Sequence, residues 1–293
     1  MKGLGTALIT PFLPSGDIDF KALRELVELQ IQAGIDYLVV LGTTAEAVTL
    51  TDVEKQLVRK CVVEQTRRRV PLVLGFGGNN TARVATELSK FAQYRDFEAI
   101  LSVCPYYNKP SQEGLYQHFC ALADSSPLPI ILYNVPGRTG VNLLPETVLR
   151  LKHTCPTQIV GIKEASGNIE QIRQLIDSKN ADEKTRNLLV ISGDDGITAE
   201  LMQAGADGLI SVAANAFPLT FSEIVHNRKG QASELQAEFE PIVQLLFKEG
   251  NPAGIKTVLY QKGYIHNILR LPLVRNSAAV QAEIQKALSM LNK

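Results

Sequence analysis

The sequence has no excess of charge of either sign, because 30 lysines and arginines balance 30 aspartates and glutamates among its 293 residues. A protein whose main partner is nucleic acid needs a basic excess to neutralise phosphates, so no such partner is expected. No uninterrupted apolar run approaches the roughly 20 residues that a membrane helix requires, so no membrane partner is expected either. Hydrophobic residues make up 45% of the chain, which is typical of a globular protein with a large core.

Cysteine is scarce, and the four cysteines are scattered as Cys61, Cys104, Cys120 and Cys155. No two of them form a C-x-x-C pair, and no histidine stands at the spacing of a zinc site. This usage predicts buried free thiols, which suit a reducing compartment. The N-terminal residues lack the layout of a signal peptide, so we expect a cytoplasmic protein.

Short apolar runs alternate with stretches of helical spacing along most of the chain. Eight strands are predicted, at 4–9, 37–41, 72–75, 99–103, 130–133, 159–163, 188–192 and 208–212. Helices are predicted near 19–33, 51–67, 80–95, 111–124, 145–153, 168–178, 196–204 and 218–228. This alternation indicates an α/β protein with a parallel sheet, and a closed (β/α)8 TIM barrel is the simplest such architecture. An open doubly wound sheet is the competing fold, but the dinucleotide fingerprint after the first strand is missing.

The strand pattern stops near residue 228, and three further helices are predicted at 232–248, 252–262 and 278–290. No low-complexity linker separates the two parts. We therefore predict a catalytic barrel over residues 1–228 and a C-terminal helical domain over 229–293 that packs on the barrel.

The active sites of such barrels lie at the carboxyl ends of the strands. Lys163 ends the sixth predicted strand on the same face as Gly161, and an inward orientation would surround its amine with apolar side chains. A desolvated neutral amine is what a lysine nucleophile needs to attack a ketone. Tyr133 ends the fifth strand and could transfer protons. A surface lysine and a core tyrosine remain the alternative interpretation of these two residues.

Other strand ends offer groups that could bind a carboxylate or line a site. Thr43 and Thr44 follow the second strand and could form a cradle of O–H and N–H donors, although an ordinary turn has the same sequence. Arg138 follows the fifth strand, and its planar guanidinium suits a carboxylate. Asp194 and Asp195 are adjacent, but no histidine or third carboxylate accompanies them, so we predict a solvated acidic turn and no metal site.

Taken together and in order, these segments resemble the dihydrodipicolinate synthase family of pyruvate-dependent class I aldolases, and the resemblance covers nearly the whole chain. The motifs that carry it are Gly42-Thr43-Thr44 with Glu46, Pro105-Tyr106-Tyr107, Tyr133-Asn134 with Pro136, Gly161-Ile162-Lys163-Glu164 and Ser192-Gly193-Asp194.

The resemblance implies a Schiff-base-forming lyase of lysine and diaminopimelate biosynthesis, whose substrates are pyruvate and aspartate 4-semialdehyde. Lys163 would form the imine, and Tyr133 would exchange protons in a relay with Thr43 and Tyr107. Substrate-binding roles fall on Thr44, Gly193, the backbone at Ile210 and, for the second substrate, Arg138. The family uses no metal or organic cofactor. Its tyrosine at the position of Tyr107 crosses a subunit interface, which implies a homo-oligomer, usually a tetramer built as a dimer of dimers.

The chain departs from family members that lysine inhibits at a dimer interface. Lys55 and Arg83 stand where those enzymes place polar groups, and both would repel a lysine ammonium. We therefore expect weak or absent feedback inhibition by lysine.

Two alternatives stay open. Another aldolase of the superfamily, such as N-acetylneuraminate lyase or a 2-keto-3-deoxy sugar acid aldolase, would share the imine chemistry. Its sugar pocket would need hydroxyl partners in place of the guanidinium of Arg138, so Arg138 favours the synthase. A non-enzymatic paralogue is the second alternative, but a lapsed enzyme would be expected to have lost one of Lys163, Tyr133, Thr43 and Arg138.

Overall fold

The eight predicted strands are present in the computed structural model, which describes residues 1–90 and 96–291. They are β1 (Gly3–Ala7), β2 (Tyr37–Val40), β3 (Leu72–Gly75), β4 (Ala99–Val103), β5 (Ile130–Asn134), β6 (Ile159–Glu164), β7 (Leu189–Ser192) and β8 (Gly208–Ser211). They form one closed barrel in chain order, and the strand pairs with a defined register are parallel. The predicted (β/α)8 barrel is thereby confirmed.

Helices follow the strands as the spacing predicted. They are α1 (Phe20–Gln32), α2 (Asp52–Thr66), α3 (Thr81–Lys90), α4 (Gln112–Ser125), α5 (Pro136–Thr139), α6 (Pro145–Thr154), α7 (Ile169–Ala181), α8 (Thr198–Gln203), α9 (Pro218–His226), α10 (Ala232–Phe247), α11 (Ala253–Gln261) and α12 (Ala278–Leu291). The last five residues of the helix predicted over 80–95 lie outside the described residues. None of the described helices combines the length and hydropathy of a membrane-spanning segment.

Local chemistry explains where several helices begin. Thr51 caps α2 by accepting a hydrogen bond from the backbone N–H of Glu54, and the Glu54 carboxylate accepts from the backbone of Thr51 in return. Ser111 caps α4 by accepting from the backbone N–H of Gly114. The four-residue helix α5 was not predicted, because it is too short to show a helical period in the sequence.

The chain divides into two compact units. The first contains residues 1–2 and 71–210, and the second contains residues 3–70 and 211–293. The helices α10, α11 and α12 confirm the helical character expected after residue 228. The domain boundary predicted at that residue stays a prediction.

Candidate active site

Lys163 and Tyr133 lie side by side at the carboxyl ends of β6 and β5. The two residues are register partners across the parallel strand pair, and each is 6% exposed. The Nζ atom of Lys163 lies 4.5 Å from the centre of the Tyr133 ring. The structure thus brings the amine and the phenol together in a buried setting, which is the arrangement expected if the faces that carry them point inward.

Gly193, which follows β7, packs directly against Lys163. A Cβ atom at this position would lie 2.9 Å from Cε of Lys163 and 2.7 Å from Cβ of Ala165, so a side chain is excluded without movement of the lysine. The backbone N–H of Gly193 donates to the carbonyl of Glu164 at 2.7 Å. Ile210, the other predicted backbone contact, is fully buried one residue before the end of β8.

Tyr107 and Arg138 lie on two segments that are bonded to each other. The backbone N–H of Tyr107 donates to the carbonyl of Thr139 at 3.1 Å, and Thr139 ends the short helix α5 that carries Arg138. Tyr107 has a φ of 73°, a left-handed conformation that is strained for a bulky residue. Its side chain is 91% exposed and Arg138 is exposed as well. Within its own chain, Tyr107 therefore presents its phenol to the surroundings.

The hydroxyl pair Thr43 and Thr44 belongs to the second unit, where it opens a 3-10 turn over Thr43–Ala45. Thr43 is exposed and Thr44 is buried. The Oγ1 atom of Thr44 accepts a hydrogen bond from Nδ2 of Asn251 at 3.0 Å, which leaves the Thr44 hydroxyl proton free for donation. Asn251 comes from a loop 207 residues away, and no pattern in the sequence pointed to it.

Glu46 anchors the end of this turn and was noted in the sequence only as part of a motif. Its backbone is left-handed with a φ of 55°, and its side chain is fully buried. Its carboxylate lies 2.5 Å from Nζ of Lys256 and accepts from the backbone N–H of Arg270 at 3.0 Å. Burial lowers the pKa of Lys256 to about 8, although the attraction of Glu46 opposes this shift. Contacts from α11 and the following loop thus hold the turn that displays Thr43 and Thr44.

A second buried carboxyl lies next to the lysine in the sequence. Glu164 is 1% exposed, and burial raises its pKa while hydrogen bonds from Asn134, Ser166 and Gln171 oppose that shift. The sequence did not reveal that Glu164 is a buried and hydrogen-bonded carboxyl. Strand alternation indicates only that its side chain points to the opposite face from that of Lys163.

The acidic turn after β7 differs from its prediction. Asp195 is buried, so the expectation of a solvated turn is wrong for this residue, whereas Asp194 is half-buried and accepts from the backbone N–H of Gly196. Among the described residues, no group of three histidines, cysteines or acidic residues could hold a metal ion. That no metal or cofactor is needed stays a prediction.

The cysteines are free, as expected, but only two of them are buried. Cys61 and Cys104 are buried, whereas Cys120 and Cys155 are half-buried, so the prediction of buried thiols is wrong for the second pair. Burial raises the pKa of Cys104 to about 12, and the nearby Glu164 adds to this shift. Cys104 therefore stays a protonated thiol at neutral pH.

Comparisons with known proteins found relatives that match nearly the whole chain. A 4-hydroxy-tetrahydrodipicolinate synthase from Parabacteroides distasonis is 49% identical over 296 residues, which cover 100% of this chain and 97% of that protein. A chloride-inhibited dihydrodipicolinate synthase from Acinetobacter baumannii, solved in complex with pyruvate, is 41% identical with a TM-score of 0.92 and 98% coverage of each chain. A monomeric dihydrodipicolinate synthase variant is 37% identical with a TM-score of 0.93, covering 99% of this chain and 96% of that one.

Residues 1–291 also match the dihydrodipicolinate synthetase family as a whole. The match spans every strand of the barrel and the C-terminal helices. The chain therefore belongs to the dihydrodipicolinate synthetase family.

Proposed function

We propose that the chain condenses pyruvate with L-aspartate 4-semialdehyde to give 4-hydroxy-tetrahydrodipicolinate, and that Lys163 carries the reaction as a Schiff base. The observation that carries the assignment of Lys163 is its buried amine beside Tyr133, at the strand ends where barrel enzymes place their catalytic groups. The Acinetobacter baumannii relative solved with pyruvate supports the choice of the first substrate.

Imine formation comes first in this mechanism. The amine of Lys163 adds to the carbonyl carbon of pyruvate, and the carbonyl oxygen leaves as water once it has gained protons. Tyr133, beside the amine, is placed to supply and recover these protons. The product is a protonated imine, whose positive nitrogen withdraws electrons from the neighbouring methyl group.

Carbon–carbon bond formation follows from this electron withdrawal. Loss of a methyl proton gives an enamine, whose methylene carbon attacks the aldehyde carbon of the semialdehyde. The aldehyde oxygen takes a proton and becomes the hydroxyl group of the product. The amino group of the semialdehyde then adds to the imine carbon, closes the ring and releases the amine of Lys163. Because the imine itself acts as the electron sink, the proposed chemistry needs no metal or organic cofactor.

The remaining site residues receive roles that fit their chemistry. Thr43 and Tyr107 form the proton relay with Tyr133, whereas Thr44, Gly193 and the backbone of Ile210 bind pyruvate. Arg138 binds the carboxylate of the semialdehyde, because its guanidinium offers paired donors. The 91% exposure of Tyr107 supports a role in the active site of a second copy of the chain.

The exposed side chain of Tyr107 and the free cysteines support proposals about the assembly and the location of the chain. A tyrosine supplied by a partner requires at least a dimer, and we propose a homotetramer built as a dimer of dimers. Four free cysteines support a location in the reducing cytoplasm. We also still expect weak or absent inhibition by lysine. Lys55, one of the two cations on which this expectation rests, forms an ion pair with Asp52 at 3.4 Å.

Borohydride trapping tests the proposal. The chain is incubated with pyruvate and borohydride, digested and analysed by mass spectrometry, and the adduct is expected on Lys163. The Lys163→Ala variant is the control and should give no adduct. Turnover is then measured with aspartate semialdehyde and with N-acetylneuraminate. Faster turnover of N-acetylneuraminate, or an adduct on another lysine, would contradict the proposed function.

A further inference from the structure

A second pair of residues lies directly beyond the Lys163–Tyr133 pair. Asn134 and Glu164 are the next register partners on β5 and β6, and their side chains lie on the opposite face of the sheet. Their exposures are 0% and 1%. The Nδ2 atom of Asn134 lies 3.1 and 3.0 Å from the two carboxylate oxygens of Glu164, so one amide bridges both of them.

The other contacts of the Glu164 carboxylate are also with donors. The backbone N–H of Ser166 donates to one oxygen at 2.9 Å, and Nε2 of Gln171 donates to the other at 3.2 Å. The orientation of the Asn134 amide is set by its Oδ1 atom, which accepts from the backbone N–H of Leu143 at 2.9 Å. Because a protonated carboxyl would place its O–H among donors, these partners match the ionised form of Glu164.

Among the described residues, the ion pairs include none with Glu164, so neutral donors alone stabilise its charge. Burying a carboxylate without a cation costs free energy, because the charge leaves water. Apolar residues of similar volume would join the two strands at least as well. The backbone continues the connection, because the N–H of Ala165 donates to the carbonyl of Asn134 at 2.8 Å. The bridge and this backbone bond therefore both connect the two strand ends that carry Lys163 and Tyr133.

We propose that Glu164 and Asn134 are positioning residues, whose hydrogen-bonded bridge holds the Lys163 amine against Tyr133 for proton transfer during imine formation. This inference rests on the proposed function. Both side chains lie on the face opposite to the one that carries Lys163 and Tyr133, and both residues act through the strand positions that precede them. Their effect should appear in the rate of imine formation more than in the affinity for pyruvate, because misplacement of reacting groups slows the chemical step.

The Glu164→Gln variant is the first test, because it keeps the shape of the side chain but turns a donor toward the Asn134 amide. The rate of borohydride-trapped adduct formation with pyruvate should fall on the order of tenfold or more, with little change in KM for pyruvate. Circular dichroism and the melting temperature show whether the variant is folded. A folded variant with the trapping rate of the unsubstituted chain would overturn the inference.

The reciprocal double variant Asn134→Asp with Glu164→Gln is the rescue experiment. It returns one carboxylate and one amide to the bridge with their positions exchanged, whereas Asn134→Asp alone places two carboxylates against each other. The double variant should trap pyruvate faster than either single variant. A double variant no faster than the slower single variant would contradict a positioning role for the bridge.

A milder variant covers the case in which Glu164→Gln fails to fold. Gln171→Met removes one donor to Glu164 from α7 and leaves both strands unchanged. It should lower the trapping rate by a smaller factor, and a folded Gln171→Met variant with an unchanged rate would count against the inference.

Asp207→Asn is the matched control, because Asp207 is also partly buried in the same unit and bonded to a strand. Its carboxylate lies 2.6 Å from Nζ of Lys179 and accepts from the backbone N–H of Val190, and Asp207 directly precedes β8, which is two strands from β6. This variant should melt at a lower temperature and keep its trapping rate. An equal loss of rate in Asp207→Asn would show that general destabilisation explains the Glu164→Gln result and would overturn the inference.

The unsubstituted chain separates failure of the inference from failure of the function. If it forms no adduct with pyruvate, the proposed function fails and the inference fails with it. If it forms the adduct and Glu164→Gln forms it equally fast, only the inference fails.

Discussion

The amine of Lys163 lies over the face of the Tyr133 ring, with Nζ 4.5 Å from the ring centre. A cation above an aromatic face is attracted by the ring itself, whereas proton transfer requires the phenol oxygen. The ring contact and the hydroxyl group therefore make separable contributions to the site.

Tyr133→Phe separates these contributions, because it keeps the ring beneath the amine and removes the hydroxyl. We expect kcat to fall by about 10²–10⁴, the usual contribution of general acid–base catalysis, with the fold and the melting temperature nearly unchanged. Steady-state kinetics and thermal melting provide the measurement. Retention of full kcat in this variant would exclude Tyr133 as the proton donor.

Gly193→Ala should disturb Lys163 directly, because the new methyl group would lie 2.9 Å from its Cε atom. We expect slower imine trapping and a loss of stability of about 1–3 kcal/mol from overpacking. Gly137→Ala serves as a control, since a Cβ atom there meets open space. Equal behaviour of the two variants would show that Gly193 does not constrain the lysine.

The exposed side chain of Tyr107 predicts complementation between two inactive variants. In a mixed oligomer of Lys163→Ala and Tyr107→Phe subunits, one type of site would combine an intact lysine with an intact tyrosine from the neighbour. Mixing the two variants under conditions that exchange subunits should therefore restore part of the activity. No recovery after exchange, verified by native mass spectrometry, would mean that Tyr107 does not act across an interface.

Breaking the buried Lys256–Glu46 ion pair should be costly, because removal of the lysine leaves an uncompensated charge in the core. Lys256→Met is expected to lower the free energy of unfolding by about 3–5 kcal/mol, as measured by urea denaturation. The double variant Lys256→Met with Glu46→Gln removes both charges and should recover much of this loss. A double variant less stable than Lys256→Met would contradict the electrostatic explanation.

His118 predicts a dependence of stability on pH. Burial lowers its pKa from 6.5 to about 4, so between these values the unfolded chain binds more protons than the folded chain. The free energy of unfolding should therefore decrease as the pH falls, by about 2 kcal/mol between pH 6.5 and pH 5.

The variant His118→Asn isolates this effect from other titrating groups. Its shorter amide keeps a polar group near the Thr81 hydroxyl, which lies 2.9 Å from Nδ1 of His118, and it does not titrate. The difference in unfolding free energy between the two proteins should shrink or reverse at lower pH. An equal pH slope in both proteins would show that His118 does not contribute.

Local patterns in the sequence were sufficient for the order of the strands and of the helices longer than the four-residue α5. Alternating apolar runs and capped helical stretches are properties of neighbouring residues, and they predicted every strand of the barrel to within a residue or two at each end. The same alternation placed Lys163 on one face with Gly161, but it left open whether that face points into the barrel. It could not reveal that Asp195 is buried, since burial depends on what packs over the turn after β7.

The sequence by itself thus determined the barrel and the residue types at its strand ends, because both follow from short-range periodicity and from the parallel direction of the strands. Only the tertiary structure decided how these residues are supported. Asn251 reaches Thr44 across 207 residues, and Lys256 pairs with Glu46 across a similar separation. The bridge between Asn134 and Glu164 likewise depends on the register of two strands. Such contacts depend on the paths of distant segments through space, which no local pattern encodes.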